Sequence, residues 1–330
     1  MKKRRRILLL ILDVLLVAGL GLGLYYYQKR MEARDTAAVG AEELARRYGS
    51  SVEYEGQDYP LRRHLTSVLL IGTDNFVNDN KQYDIEVHYN NNLADFLILL
   101  VFDHSEKTVT PFQICRDTMC QVPVLSVNGK VAGHEFEQIT FAHTYGSGRE
   151  DSCVNTVRAV SDLLFGVPVT NYFGFTMDAV PVLNDLVGGV TVKLTEDFPA
   201  LGAEYVRGAR ITLRGSDSLR FVRYRDTEQL DSNLLRMANH RIYLEAFAES
   251  ARSALEENGD LAVDAFKAVN PFLCTDLSVE NISDITEYLC TYELKSTVTP
   301  EGEYVMGKDF AEYYVSGDSL WECVRDTFCG

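Results

Sequence analysis

Two acids and a group of arginines stand out in a chain with few other recognisable chemical arrangements. Asp74 closes SVLLIGTD, and Asp95 sits at the start of ADFLILLVFD. Each flanks an apolar run that reads as a buried strand. Arg116 follows the next run, TVTPFQIC. Arg220, Arg223 and Arg225 crowd RFVRYR, and Arg236 and Arg241 come soon after in LLRMANHR. Two carboxylates at the edge of a buried sheet suit Mg²⁺ (or Mn²⁺), which takes one or two protein carboxylates together with phosphate oxygens. Guanidinium forks grip phosphate bidentately. Singly, an acid at a strand end is an ordinary turn residue and an arginine run is a solvated face. Jointly they suggest a metal-assisted phosphate or pyrophosphate site.

Other chemistries lack their signatures. There is no G-x-S-x-G, no H-E-x-x-H, no P-loop and no strand-linked G-x-G-x-x-G. His134 and His143 have no cysteine partner at zinc spacing. The seven cysteines (Cys115, Cys120, Cys153, Cys274, Cys290, Cys323 and Cys329) are odd in number, so at least one is unpaired within the chain. They read as small buried hydrophobes.

The elements that must hold these residues follow from composition and periodicity. At 330 residues, 46% hydrophobic and 24% charged, the chain is globular. Its net charge of −16 makes it a poor wrapper of nucleic acid, which demands basic surface. Any anion must therefore meet a local arginine cluster. Residues 1–30 reverse the balance, with seven basic side chains against Asp13 alone. The basic residues 1–6 precede an apolar run from Ile7 to Tyr27, long enough to span a bilayer as a helix. The flanking charge predicts a cytoplasmic N-terminus, a retained anchor and an extracellular body. The expected organisation is a basic tail (1–6), a span (7–27), a polar stalk (28–64) and a body (65–330), with core 65–256 and extension 257–330.

Within the body, strands are expected at 67–72, 95–103, 108–114, 171–176, 188–194, 294–299 and 303–306. Helices are expected at 151–165, 178–187, 215–225, 234–255, 278–290 and 318–328. Residues 75–92, rich in Asn and Asp, read as a loop or hairpin. The interleaving predicts an α/β (α+β) sandwich with a central mixed sheet and helices on both faces.

The quoted runs, taken in order, resemble the LytR-CpsA-Psr family of Gram-positive cell envelopes. The matching pieces are LLIGTD, ADFLILLVFD with TPFQICRDT, ITFAHTYGSG with the VNTVRAVSDLLFGVPVTNYFGFT stretch, and LRFVRYRD with DSNLLRMANHR. The resemblance spans roughly residues 65–250. It implies a phosphotransferase that moves a glycopolymer from an undecaprenyl-pyrophosphate carrier onto peptidoglycan. It also implies that Asp74 and Asp95 hold Mg²⁺, and that Arg116, Arg223, Arg225, Arg236 and His240 meet the pyrophosphate. Asp117 is left as either a base or a salt-bridge partner of Arg116. The chain departs from the family pattern at Ala94 and Phe96, where hydroxyls usually flank the acid. It departs again at Gln138, and at Asn239-His240, where Arg-Gln is usual. A binding protein that kept the fold, or a pyrophosphatase, are the alternatives. The helical segments 154–164 and 180–187, with Phe173 and Phe175, are candidates to line a prenyl tunnel.

Overall fold

The structure, a computed structural model, describes residues 50–74, 90–126, 129–225, 230–308 and 310–330. The expected span, the loop residues 75–89 and Asp13 lie outside these residues. No described helix is long and apolar enough to cross a membrane. Residues 51–60, expected within the stalk, form a hairpin of β1 (Ser51–Tyr54) and β2 (Gln57–Pro60). Val52 is buried and Tyr54 stacks on Trp321, with ring centroids 4.4 Å apart. That apolar contact holds the hairpin to the body.

The long apolar runs become β3 (Leu65–Thr73), β4 (Ala94–Asp103) and β5 (Thr108–Ile114), antiparallel neighbours at the middle of a six-stranded mixed sheet. Strand β8 (Asn171–Thr176) lies parallel to β3, with β11 (Leu273–Thr275) at its outer edge. At the opposite edge β12 (Glu293–Leu294) pairs with β5. The strand expected over 294–299 is thus cut short, with an isolated bridge from Val298 to Phe112 beyond it.

These strands lack polar–apolar alternation because helices cover both faces. On one face Leu69, Ile71, Leu97, Leu99 and Phe112 pack against α1 (Glu150–Leu163) and α7 (Gly317–Phe328). On the other, Val68, Phe102 and Val109 meet Ile282, Ile285 and Leu289 of α6 (Val279–Thr291). The long helix α4 (Ser232–Glu257) joins this second face, where Gln113 donates to the Met237 carbonyl at 3.1 Å.

Three smaller pieces surround the sheet. Strand β6 (Met119–Leu125) forms a hairpin with β7 (Val131–Gln138), which the sequence pattern did not announce. Residues 190–213 leave the main sheet: β9 (Val190–Lys193) pairs only with β10 (Arg210–Leu213). That ribbon, α2 (Ala179–Leu186), α3 (Ser216–Arg223) and α4 enclose a second core around Phe198, Phe221 and Tyr243. Helix α5 (Leu261–Val269) leads into the C-terminal segment. That segment includes the hairpin of β13 (Gly302–Met306) and β14 (Ala311–Val315).

Candidate functional site: an arginine and aspartate cluster at one end of the sheet

Asp95 owes its position to a β-bulge. Gly72 pairs with Phe96, but the next residue, Thr73, pairs with Ala94, so Asp95 is the extra residue between them. A bulge bends the strand and re-aims the side chain it carries. Asp74, next after Thr73, therefore ends up at the same corner of the sheet. Gly72 permits this packing, because a side-chain carbon there would stand 2.9 Å from Phe96 Cβ.

The Asp95 carboxylate does not face solvent, as a strand-end acid ordinarily does. It accepts a very short hydrogen bond from Arg116 Nη1, and both side chains are largely buried. Arg116 Nε lies 3.2 Å from Asp117 Oδ1. Asp117 Oδ2 accepts from the Tyr304 hydroxyl at 2.9 Å. Both oxygens of Asp117 are thus engaged, and it serves as a salt-bridge partner. Burial disfavours the Arg116 charge, but Asp95 and then Asp117 outweigh it and hold its pKa above the ordinary value.

Arg236, on α4, is buried beside this pair. Its Nε and Nη2 donate to Asn233 Oδ1 at 3.0 and 2.7 Å. Burial, with the neighbouring charges of Arg116 and Arg225, brings its pKa down to about 10. Arg116, Arg225 and Arg236 come from three segments of the chain, and the charges of the partly buried Arg116 and the exposed Arg225 both bear on the buried Arg236. Arg223 is different: it is half exposed and pairs with Asp74 at 3.1 Å. The structure therefore gathers Arg116, Arg223, Arg225, Arg236, Asp74 and Asp95 at one end of the molecule.

His240 is placed otherwise. Its Nε2–H donates to the Val222 carbonyl at 2.9 Å, and its ring meets the Phe96 ring edge-on at 5.0 Å. Burial, then Arg236, lowers its pKa to about 3. It is a neutral packing group between α3 and α4 whose Nε2–H is spent on the Val222 carbonyl. Arg220 and Arg241 are also occupied elsewhere: Arg220 by Asp217, and Arg241 by Gln113 Oε1 at 2.6 Å.

Three residues of the site were not legible in the sequence. Asn233 sits one helical turn before Arg236, a spacing that could have signalled it. Tyr304 gives no such signal, being 187 positions from Asp117. Its hydroxyl also lies 3.2 Å from Cys115 Sγ and 3.3 Å from Asn233 Nδ2, so one phenol ties the Arg116 and Arg236 supports together. Asn239 is fully buried, and among the described residues neither its Oδ1 nor its Nδ2 has a partner. Thr73 Oγ1 and Thr176 Oγ1, on paired residues of β3 and β8, are likewise buried and without a partner among the described residues. Orphaned polar atoms of this kind call for a ligand or water.

The suggested tunnel walls separate. Val160 and Leu164 belong to the core on one face of the sheet, while Phe173 packs on the other. Val180 and Val187 pack against the β9–β10 core.

A mixed sheet with helices on both faces carries, at one end, Arg116 paired to Asp95, Arg223 paired to Asp74, and Arg236 buried beside them. Comparison with known proteins gives the family. The model of the LytR_cpsA_psr family matches residues 26–323, and the chain belongs to that family. It is 26% identical over 288 residues to polyisoprenyl-teichoic acid–peptidoglycan teichoic acid transferase TagU of Bacillus licheniformis, covering 86% of this chain and 82% of the relative. It is 27% identical over 258 residues to the TagT transferase of Bacillus subtilis, covering 77% and 72%. Among solved structures, TagT bound to LIIa-WTA superposes with a TM-score of 0.60 at 21% identity, covering 80% of this chain and 90% of that one. Bacillus subtilis TagV superposes at 0.61 and 17%, covering 81% and 96%. These structures share the fold.

Proposed function

We propose that this chain transfers a glycopolymer from an undecaprenyl-pyrophosphate carrier to peptidoglycan, acting from a single-pass anchor at residues 7–27 with its body outside the cell. The observation that carries the reading is the convergence of Arg116, Arg225 and Arg236 from three segments in a chain of this family. A buried cation such as Arg236, with two further arginines beside it, is costly unless an anion completes it.

In the free protein Asp95 neutralises Arg116, and Asp74 neutralises Arg223. A pyrophosphate entering the cluster takes over the arginines and releases both carboxylates. Mg²⁺ fits those carboxylates, since two oxygen-donor side chains plus phosphate oxygens are a donor set it accepts. Bound there, the ion would add positive charge opposite the developing charge of phosphoryl transfer. The arginines orient the pyrophosphate. A sugar hydroxyl of the acceptor attacks the phosphorus next to the polymer, the bond from that phosphorus to the bridging oxygen breaks, and polyprenyl phosphate leaves. The residues of the chain act chiefly by positioning and by charge stabilisation.

The test supplies the full chain, in detergent, with a polyprenyl-pyrophosphate-linked glycopolymer, peptidoglycan and Mg²⁺. Polymer covalently attached to peptidoglycan, with release of polyprenyl phosphate, is the expected outcome. Hydrolysis regardless of acceptor would make the protein a pyrophosphatase, and binding without turnover would make it a receptor. Asp95→Asn should abolish Mg²⁺-dependent turnover, and full activity in chelator would remove the metal from the reading.

A further inference from the structure

Away from the arginine cluster, the β8–β11 edge of the sheet brings two cysteines to one glycine. Gly174 of β8 pairs with Cys274 of β11. A side-chain carbon on Gly174 would stand 2.8 Å from Cys153 Sγ, 2.9 Å from the Cys274 carbonyl oxygen and 3.7 Å from Cys274 Cβ. Cys153 arrives from the first turn of α1 and Cys274 from the edge strand, and the missing side chain of Gly174 leaves the space they share.

The two differ in access. Cys153 is fully buried. Cys274 is partly exposed and lines a 580 Å³ cavity together with Arg149, Asp151, Val154 and Arg158. Behind Cys153, His143 Nε2 lies 3.9 Å from its sulfur. His143 Nδ1 bonds the Asn92 carbonyl at 2.9 Å, so Nδ1 carries the proton and Nε2 presents its lone pair to Cys153. Burial lowers His143 to about 4, so the ring is neutral near pH 7. The neighbouring Cys153 thiol lowers the Cys274 pKa, and a thiolate is the form that attacks disulfides.

We infer that Cys153 and Cys274 form a dithiol redox site, oxidised to an intramolecular disulfide by a disulfide-bearing thiol compound or oxidoreductase that reaches Cys274 through the cavity. The Cys274 thiolate attacks one sulfur of the donor. The donor disulfide breaks, and its first thiolate leaves with the proton that Cys274 gave up. The Cys153 sulfur then attacks Cys274 Sγ, the mixed disulfide breaks, and the departing second donor thiolate takes the Cys153 proton. The donor gains two electrons and two protons, and the protein keeps one S–S bond. That bond links α1 to the edge strand that begins the C-terminal segment. A covalent link across so long a loop constrains the unfolded chain strongly.

The experiment incubates the full chain in detergent with oxidised glutathione, with a reduced sample alongside. Intact mass should fall by two hydrogens, and peptide mapping should recover residues 153 and 274 in one disulfide-linked species. The Tm of the oxidised form should rise by roughly 5–10 °C. Cys274→Ser and Cys153→Ser should each abolish the link and the Tm gain, while exposed Cys290→Ser leaves both intact. Cys274→Ser alters a partly exposed position, so its reading survives if the Cys153 variant misfolds. An unchanged mass, glutathione stalled on Cys274 without resolution, or a link that persists in Cys274→Ser would each overturn the proposal.

Discussion

Arg116 and Arg223 each bind a carboxylate, but Arg116 does so with its side chain 17% exposed and Arg223 with its side chain 53% exposed. The first pair is one link in a largely buried chain of contacts that runs through Asp95, Asp117, Tyr304, Asn233 and Arg236. The second is a lone pair at the rim. Removing one member of a buried pair strands the other, whereas an exposed pair is screened and contributes little. The same residue types should therefore serve two purposes. The buried arm holds the corner of the sheet together and pre-positions its cations, while the rim arm is free to move onto a ligand.

The largest effect that would test this contrast is on stability. Arg116→Ala should destabilise the protein by about 3 kcal/mol, because Asp95 and Asp117 lose their common partner. It should also weaken binding of a short-chain prenyl pyrophosphate at least tenfold. Urea midpoints and a titration read the two effects. Equal stability losses in Arg116→Ala and Arg223→Ala would erase the distinction between the arms.

Acid should act next, and again on buried groups. His240 has a folded pKa of about 3 and His143 of about 4, both below the unfolded value near 6.5. A buried neutral imidazole binds no proton until the folded pKa is reached, while the unfolded chain takes one up below about 6.5. Stability is thus complete above pH 6.5 and falls as pH drops, by up to about 1.4 kcal/mol per unit for each histidine. Lowering pH from 6.5 to 5 should cost about 2 kcal/mol per group. His240→Gln should flatten the acid limb of the stability profile, with prenyl pyrophosphate affinity changed by less than about threefold. A tenfold loss of affinity would return His240 to the ligand site.

Tyr304→Phe sharpens the comparison more finely. It leaves one buried Asp117 oxygen without its donor, and should cost about 1–2 kcal/mol. Since the phenol also reaches Asn233, affinity should fall about threefold to tenfold through misplacement of Arg116 and Arg236. Affinity unaffected by Tyr304→Phe would confine the tyrosine to packing.

At the rim, Arg223→Ala and Arg225→Ala should leave stability within about 0.5 kcal/mol and yet weaken pyrophosphate binding at least about tenfold. Arg220→Ala and Arg241→Ala should change binding by less than about threefold, as expected for charges occupied elsewhere. Uniform losses across all these variants would point to a diffuse field and no clamp.

The chain by itself determined much of this. The continuous apolar run at 95–103 read as a strand covered on both sides and 108–114 as its neighbour, and both appear at those positions in the sheet. The helical period of 151–165 likewise sufficed for α1, because amphipathic spacing is a local property. The types and order of Asp74, Asp95 and the arginines raised the expectation of a phosphate site, and the fold brings those residues together. Tertiary structure decided what local pattern cannot encode. The one-residue bulge that turns Asp95 inward depends on register between two strands. The pairing of Asp117 with Tyr304 depends on a C-terminal hairpin folding back across the molecule. The expectation that His240 meets the ligand could not include burial, which turns its Nε2 to the Val222 carbonyl. Asn239 gained its unpartnered amide, and Cys153 its neighbour Cys274, in the same way. Desolvation and long-range contact set the charge state and direction of a side chain, and both exist only once the chain has closed on itself.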